Sequence, residues 1–404
     1  MKSILLPTIL GLFSFVNYVS AGTPTFYPAN HENIRWVGRR IFNADGGITI
    51  DWENTFGTFT IVNATIVSAI ISDNSTGGAR FAVYMNNVNV SATIKDPNQN
   101  AADVPNLRIA TLVTANAQKL QYPLASRSGI AGSSPTMYSL KLLTEPQFIG
   151  DNTYNNVLTI DGISTDGVLL PLNSATIPTR RIEILGDSLT AGYGSGFDDP
   201  VGSDGQPLPC GGGTLIDDVS NTYGNLLCTN FSADCTIEAV SGITLMTGHP
   251  NLPELWDYEL GSMIEPGWSG HSIPYNAKEF VPQVEIINLG ENDWHSNCPS
   301  SPSCIANFTQ KYVDFVKHID STYTAVGGSN ITYFLIIAPH EAGQSVAVIP
   351  AANQLKSEGF NAYFVNGTVD SSLYPGGCGG HPGPTIHHAS FLRMQPIIAS
   401  IMGW

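Results

Sequence analysis

The sequence predicts two domains: an all-β sandwich of jelly-roll type over residues 22–172 and a doubly wound parallel α/β domain over 180–404, joined by a linker at 173–179. Three observations carry this. In the first half, apolar and polar residues alternate in short runs separated by Gly, Asn, Asp and Pro clusters, the pattern of half-buried strands between tight turns. In the second half the apolar runs are continuous, as parallel strands covered on both faces require, and helical patterns lie between them. The change of pattern falls at Pro171-Leu-Asn-Ser-Ala-Thr-Ile-Pro178-Thr, whose prolines and small polar residues suit a connector.

The chain opens with Lys2, a mostly apolar stretch from Ile4 to Val19, and small residues at Val19-Ser20-Ala21. That is the layout of an export signal over residues 1–21, cut before Gly22. Pro7 argues against a buried helix there, and no later segment reaches membrane-spanning length. The expected strands then follow in order: Ile48, Ile50 and Trp52; Phe59 and Ile61; Phe81 and Val83; Val90, Ala92 and Ile94; Leu107 to Leu112; Tyr138, Leu140 and Leu142; Val157 to Ile160. The turn clusters Asn43 to Gly47, Asp73 to Gly78 and Asp96-Pro97-Asn98 divide them, and no amphipathic helix interrupts.

Beyond the linker, Ile182–Leu185, Thr236–Val240, Val284–Leu289 and Ile331–Ile337 read as buried parallel strands. Ile305, Phe308, Tyr312, Phe315, Val316 and Ile319 form one helical stripe, and Ser390–Met402 reads as a final helix. Residues 194–220 carry Gly, Asp, Ser and Pro without periodicity. A loop of that length inside a compact domain is usually functional, and its place after the first parallel strand makes it a candidate rim.

Composition narrows the function. Only 12% of residues are charged and the net charge is −16, which disfavours nucleic acid and anionic membranes as partners and fits a neutral or cationic substrate. All six cysteines (Cys210, Cys228, Cys235, Cys298, Cys304, Cys378) lie in the second half, an even count that in an exported chain implies disulfides. Short separations favour Cys228–Cys235 and Cys298–Cys304, leaving Cys210–Cys378. Glycosylation sequons begin at Asn63, Asn74, Asn89, Asn230, Asn307, Asn330 and Asn366.

Four stretches at the ends of the expected parallel strands bear chemistry. Gly186-Asp187-Ser188-Leu189 turns from strand toward helix and presents a serine at the mouth of the sheet, a place suited to a nucleophile that builds an oxyanion; an N-cap serine would use the same residue types. Ser241-Gly242 lets backbone approach a ligand closely. Gly290-Glu291-Asn292-Asp293-Trp294 offers the Asn292 amide as a donor, while Asp187 and Asp293 are expected to bond loop backbone. Gly376-Gly-Cys378-Gly-Gly-His381-Pro382 presents His381 as a general base. Zinc ligation by His381, His387 and His388 lacks a matching spacing, so no metal is expected. Tyr193, Trp256, Tyr258, Trp268 and Trp294 are candidates to line a sugar cleft or to pack a core; Tyr193, Trp268 and Trp294 are the substrate-binding candidates.

Ser188, Gly242, Asn292 and His381, in that order and in the contexts Gly-Asp-Ser-Leu, Ser-Gly, Gly-x-Asn-Asp and His-Pro, resemble the four functional blocks of SGNH (GDSL-type) hydrolases. Trp36-Val-Gly38-Arg39, Phe56-Gly57-Thr58, Lys141-Leu-Leu-Thr-Glu145-Pro, Asn221-Thr-Tyr223 and the His381 loop are similar to carbohydrate esterase family two. The resemblance covers nearly the whole chain after residue 21. It implies an N-terminal jelly roll joined to an SGNH domain and removal of acetyl groups from polysaccharide of acetylxylan or glucomannan type, with no cofactor. It also implies roles: Ser188 as nucleophile, His381 as general base, and the backbone N–H groups of Ser188 and Gly242 with the Asn292 side chain as oxyanion hole. One position departs from the SGNH pattern. Many of these hydrolases carry an aspartate three residues before the histidine, where this chain has Cys378, so a backbone carbonyl or a distant carboxylate must orient the ring.

Two rival readings differ in class. A lipase or general small-ester hydrolase of the Gly-x-Ser-x-Gly type finds only Gly343-Gln-Ser345-Val-Ala347, which lacks the last glycine. A non-catalytic polysaccharide-binding or cell-wall protein on the same fold would not need all four blocks, and all four are present.

Overall fold

The computed structural model describes residues 23–73, 79–85, 107–114, 119–125, 135–145, 148–149, 153–154, 157–196, 216–246, 248, 250–261, 273–296 and 301–404. The expected export signal, the strand at Val90 to Ile94 and Trp268 lie outside these residues.

The first half is strands throughout: β1 (Thr25–Pro28), β2 (Arg35–Val37), β3 (Ile41–Phe42), β4 (Ile48–Ile50), β5 (Phe56–Val62), β6 (Val67–Asp73), β7 (Arg80–Met85), β8 (Leu107–Val113), β9 (Lys119–Ala125), β10 (Thr136–Leu142), β11 (Phe148–Ile149), β12 (Thr153–Tyr154), β13 (Leu158–Thr165) and β14 (Val168–Leu170). They form two antiparallel sheets, one ordered β3-β4-β13-β6-β9 with β1 also on β13, the other β14-β5-β10-β7-β8 with β2 also on β5; β11 and β12 pair separately. The period-two alternation does its work here. On β10, Thr136, Tyr138, Leu140 and Leu142 are buried while the residues between them are less so. Tyr138 stacks on Phe59 of β5, and both join Ile48, Ile71, Phe81, Val83 and Ile160 in one core between the sheets. Gly57 is required by contact: a Cβ there would come within 2.6 Å of the Trp36 ring.

The second half contains β15 (Arg180–Gly186), α1 (Ser188–Ala191), α2 (Tyr223–Asn230), β16 (Ala233–Ala239), α3 (Leu252–Trp256), β17 (Val284–Asn288), α4 (Glu291–Ser296), α5 (Pro302–Ala325), β18 (Thr332–Ile337), α6 (Ser345–Ser357), β19 (Asn361–Asn366) and α7 (Pro384–Met402). The sheet is parallel with the order β16-β15-β17-β18-β19. Counted by sequence this is 2-1-3-4-5, a doubly wound order whose direction reverses between β15 and β17. Both faces are covered. Leu185, Ile287, Leu335 and Ile337 pack against Phe308, Tyr312 and Ile319 of α5 and Leu355 of α6. Ile182, Ile184, Ile286, Phe334 and Ile336 pack against Leu227 of α2 and Met394 and Ile398 of α7.

Several expectations need amendment. Trp52 belongs to no strand; it is fully buried among the second half's residues, with Leu255 and Trp256, against Gly261. The last helix begins at Pro384, so His387 and His388 lie inside it rather than before it. β19 and α6 were not expected. Pro350 sits within α6, and only β19's Ala362 and Val365 are fully buried, so neither segment shows a clean period. Cys228 and Cys235 form the expected disulfide, and Cys304 and Cys378 are also disulfide-bonded. No helix among the described residues is long and apolar enough to cross a membrane.

The two halves are joined by buried polar contacts. Arg39 ion-pairs with Glu183 at 3.0 Å and Glu238 at 3.3 Å, donates to the carbonyls of Trp256 and Tyr258, and lies 3.7 Å from the Tyr275 ring centre. Tyr323 donates to Glu183 at 2.6 Å. Burial pushes the Glu238 and Glu285 carboxyls well above the ordinary range, with Arg39 opposing that shift. One guanidinium thus serves a cluster of acids under the sheet. Removing a single partner from a buried ion pair leaves uncompensated charge and costs about 3–5 kcal/mol. Arg39→Met is expected to lower unfolding free energy by about that amount, read from the denaturant midpoint at constant m-value.

Candidate active site

The site is built at the carboxyl ends of β15, β16 and β17, beside the point where strand order reverses, the position at which open α/β sheets bind ligands. β15 ends at Gly186, where a Cβ would come within 2.0 Å of the Thr190 hydroxyl, so only glycine permits the turn. Asp187 caps α1, its carboxylate accepting from the Leu189 N–H at 3.0 Å. Burial holds the Asp187 carboxyl up at about 8. Ser188 is the first residue of α1 and is 5% exposed.

The Ser188 hydroxyl lies 2.9 Å from His381 Nε2, and His381 Nδ1 lies 3.1 Å from the carbonyl of Gly379. A carbonyl only accepts, so Nδ1 carries the proton and Nε2 is free to accept from the serine. Of the two orienting partners that the sequence leaves open, the structure supplies a backbone carbonyl, two residues before the ring. Burial lowers the His381 pKa, opposed by the Gly379 bond and by the negative charge of Glu291.

The histidine loop is docked tightly enough to aim the ring. Its Cys378 is fully buried and disulfide-bonded, and its N–H donates to the Gly194 carbonyl at 3.1 Å. Gly194 has φ +79°, and a side chain there would strike the Cys378 carbonyl at 2.4 Å and His381 Cβ at 2.8 Å. Tyr193 meets the His381 ring edge-on at 4.8 Å. The start of the 194–220 loop therefore buttresses the histidine; residues 197–215 fall outside the description.

Gly242 and Asn292 come together on one turn. The Ile243 N–H donates to the Val240 carbonyl at 3.1 Å, closing a turn with Gly242 at φ +79°. Among the described residues, no atom beyond its chain neighbours lies within 4 Å of the point a Gly242 side chain would occupy. The Asn292 amide donates to the Ile243 carbonyl at 2.8 Å, and Nδ2 carries a second N–H for another acceptor. Asp293 accepts from the Leu245 and Met246 N–H groups at 2.9 and 3.0 Å, so both aspartates bond loop backbone as expected. Trp294 packs edge-on against Phe308 at 4.8 Å and beside Gly343, which gives its ring a role in seating α4. Trp256 is fully buried in the core.

Two groups were given no role by the sequence reasoning. Glu145, just past β10 of the sandwich, accepts from both the N–H and the hydroxyl of Ser241 at 2.5 Å, across 96 residues of chain. His340, after β18, is half-buried; burial lowers its pKa, Glu291 raises it and His381 lowers it further. His387 is fully buried, held down at about 3 by burial and stacked on Tyr223, while His388 stacks on Phe391. Among the described residues no group of three His, Cys, Asp or Glu side chains is arranged to hold a metal ion.

Comparison with known proteins finds similar chains and similar folds. No protein-family model matches the chain. An acetylxylan esterase / glucomannan deacetylase of Cellvibrio japonicus is 26% identical over 285 residues, covering 68% of this chain and 70% of that protein. A solved family two carbohydrate esterase from the same organism superposes with TM-score 0.71 at 18% identity, over 95% of this chain and 99% of the other. The chain resembles the family-two carbohydrate esterases. A further member of that family, from Clostridium thermocellum in complex with cellohexaose, superposes with TM-score 0.70 at 21% identity, over 92% of this chain and 99% of the other. Those identities establish the shared fold, and the site geometry above is this chain's own.

The lowered His381 pKa has a direct readout. Its imidazole is expected to titrate by NMR with a midpoint below the ordinary value of about 6.5, so the neutral, proton-accepting ring is already populated in mildly acidic solution. A midpoint above that value would point to an anionic orienting partner in place of the Gly379 carbonyl.

Proposed function

We propose that this chain is a secreted serine esterase that removes O-acetyl groups from polysaccharide, of acetylxylan or glucomannan type. The observation that carries the reading is the 2.9 Å contact between Ser188 Oγ and His381 Nε2, with the other ring nitrogen anchored on a carbonyl. In this mechanism Nε2 takes the hydroxyl proton as Oγ attacks the acetyl carbonyl carbon. The carbonyl oxygen becomes an oxyanion received by the N–H groups of Ser188 and Gly242 and the second N–H of Asn292. His381 returns the proton to the leaving sugar oxygen, and the acetyl group stays on Ser188. Water, deprotonated by the same nitrogen, then releases acetate. The arrangement works as a Ser–His dyad whose third member is the Gly379 carbonyl.

The substrate class comes from the relatives: one is an acetylxylan esterase / glucomannan deacetylase and another was solved with cellohexaose. Tyr193, beside His381, is the candidate with a place at the site to touch the sugar. We also propose the division into a sandwich over 22–172, a linker at 173–179 and a hydrolase domain over 180–404. The sandwich reads as a jelly roll. With β4, β5, β6, β7, β8, β9, β10 and β13 taken as its eight strands, the sheets run first-eighth-third-sixth and second-seventh-fourth-fifth, the order that two interleaved Greek keys generate. Export is supported by the apolar opening segment and by the absence of free cysteines among the described residues.

The purified protein is expected to hydrolyse a small aryl acetate and to release acetate from acetylated xylan or glucomannan. Ser188→Ala and His381→Ala should abolish this without unfolding the chain, and Asn292→Ala should lower kcat by about 10²–10³-fold. Full activity in Ser188→Ala would move the nucleophile elsewhere. A wild type that binds the polysaccharide and releases no acetate would replace the esterase reading with a binding protein on this fold.

A further inference from the structure

Residues 240–243 form a four-residue turn with Ser241 and Gly242 at its centre, closed by the bond from the Ile243 N–H to the Val240 carbonyl. The peptide linking Ser241 to Gly242 is the one that type I and type II turns orient oppositely. That peptide carries the Gly242 N–H. The observed φ of +79° at Gly242 fits the type II form, which glycine adopts without strain. Where that donor points depends on how Ser241, the residue before it, is held.

We propose that Glu145 is a positioning residue which holds Ser241, and with it the turn, in place, so that the β-sandwich sets the oxyanion hole of the neighbouring half. Its carboxylate takes two hydrogen bonds from one residue, the Ser241 N–H and the Ser241 hydroxyl, both at 2.5 Å. Holding N–H and side chain together fixes the position and orientation of Ser241, and the Ser241–Gly242 peptide is carried on it. Glu145 is itself 3% exposed, three residues past β10 and next to fully buried Leu143 and Thr144, so the anchor is shielded from solvent. Asn292 holds the far side of the turn through the Ile243 carbonyl at 2.8 Å. The turn is thus gripped from both ends, and the sandwich supplies one of the grips.

This rests on the esterase reading for its kinetic readout and on the turn geometry for its structural one. Glu145→Ala is expected to lower kcat on a small aryl acetate by about 10- to 100-fold with KM changed less than about 3-fold, because a misoriented donor costs transition-state stabilisation rather than binding. Affinity for a boronic acid that forms a tetrahedral adduct on Ser188 should fall in step with kcat. Glu145→Gln keeps an acceptor for the N–H and a donor for the hydroxyl oxygen, and should restore kcat to within about 3-fold of wild type. Amide hydrogen exchange at residues 241–243 should accelerate in Glu145→Ala and not in Glu145→Gln, with exchange around His381 unchanged. A folded Glu145→Ala with wild-type kcat, or exchange at the turn unaltered, overturns the proposal. So does equal loss in Glu145→Gln. If Glu145→Ala does not fold, Ser241→Ala removes one of the two bonds from the other side and should accelerate exchange at 242–243 with a smaller loss of kcat; no change in either overturns the proposal. Should the wild type release no acetate, the esterase reading falls, and the exchange measurement still decides whether Glu145 pins the turn.

Discussion

The constraint on which the site depends is that a neutral carbonyl, two residues away in the same loop, orients its imidazole. A carboxylate in that place would tolerate some play, because attraction between opposite charges falls off slowly with distance. A hydrogen bond to a carbonyl tolerates much less. The Gly379–His381 loop must therefore be stiff, and the structure makes it so by covalent and steric means. Cys378 is disulfide-bonded, the chain folds back so that the Gly377 N–H meets the His381 carbonyl at 2.8 Å, and the loop presses on Gly194 with no room for a side chain. Aspartate at position 378 would give up this anchor to gain a charge. The chain has taken the other course, and the lowered His381 pKa is consistent with it, since a carbonyl dipole stabilises the imidazolium less than an anion would.

The two halves of the molecule are not a catalytic domain with an appendage. Arg39 reaches under the parallel sheet to Glu183 and Glu238, Asn54 donates to the Cys235 carbonyl at 3.0 Å, and Lys141 donates to Asn225 of α2 at 2.6 Å. Arg108 pairs with Asp218, near the end of the 194–220 loop, at 2.8 Å. Ala82 and Leu143 of the sandwich sit in the same apolar cluster as Ile182 and Ile237. Contacts of this kind desolvate charge at a cost that only good geometry offsets, so they specify one relative placement of the halves. Glu145 belongs to this set, and it differs only in lying under the turn that offers the Gly242 N–H.

What was legible in the sequence follows from physics that is local. Ser188, Gly242 and Asn292 sit at the ends of continuous apolar strands, and an apolar run that stops at a Gly-rich turn announces the rim of a parallel sheet. The stripe on α5 was legible for the same reason, because five of its six expected residues are fully buried on one face. Glu145 and Arg39 were not, since a charged residue far along the chain gives no local sign that it will be buried against a partner 96 or 144 residues away. Trp52 shared the alternation of its neighbours Ile48 and Ile50, yet it leaves the strand and enters the other half's core. β19 failed for a different reason: at the sheet's edge it buries too little to write a continuous apolar run.

For the proposed reaction to build an anion in the site, an acidic chain also has to keep its own charges from opposing it. Glu291 lies close enough to influence His381, and Asp187 and Asp293 flank two of the functional blocks. Burial works in the enzyme's favour here. Burial pushes the Asp187 carboxyl, next to the serine, up to about 8, which disfavours its charged form, while its oxygen still caps the Leu189 N–H. Asp293 spends its two oxygens on the Leu245 and Met246 N–H groups, drawing its charge into the loop that carries the turn. The acids nearest the blocks thus serve as backbone clamps. In the proposed reaction, the Gly242 N–H and the second Asn292 N–H would supply the local positive potential that a developing oxyanion needs in a protein of net charge −16.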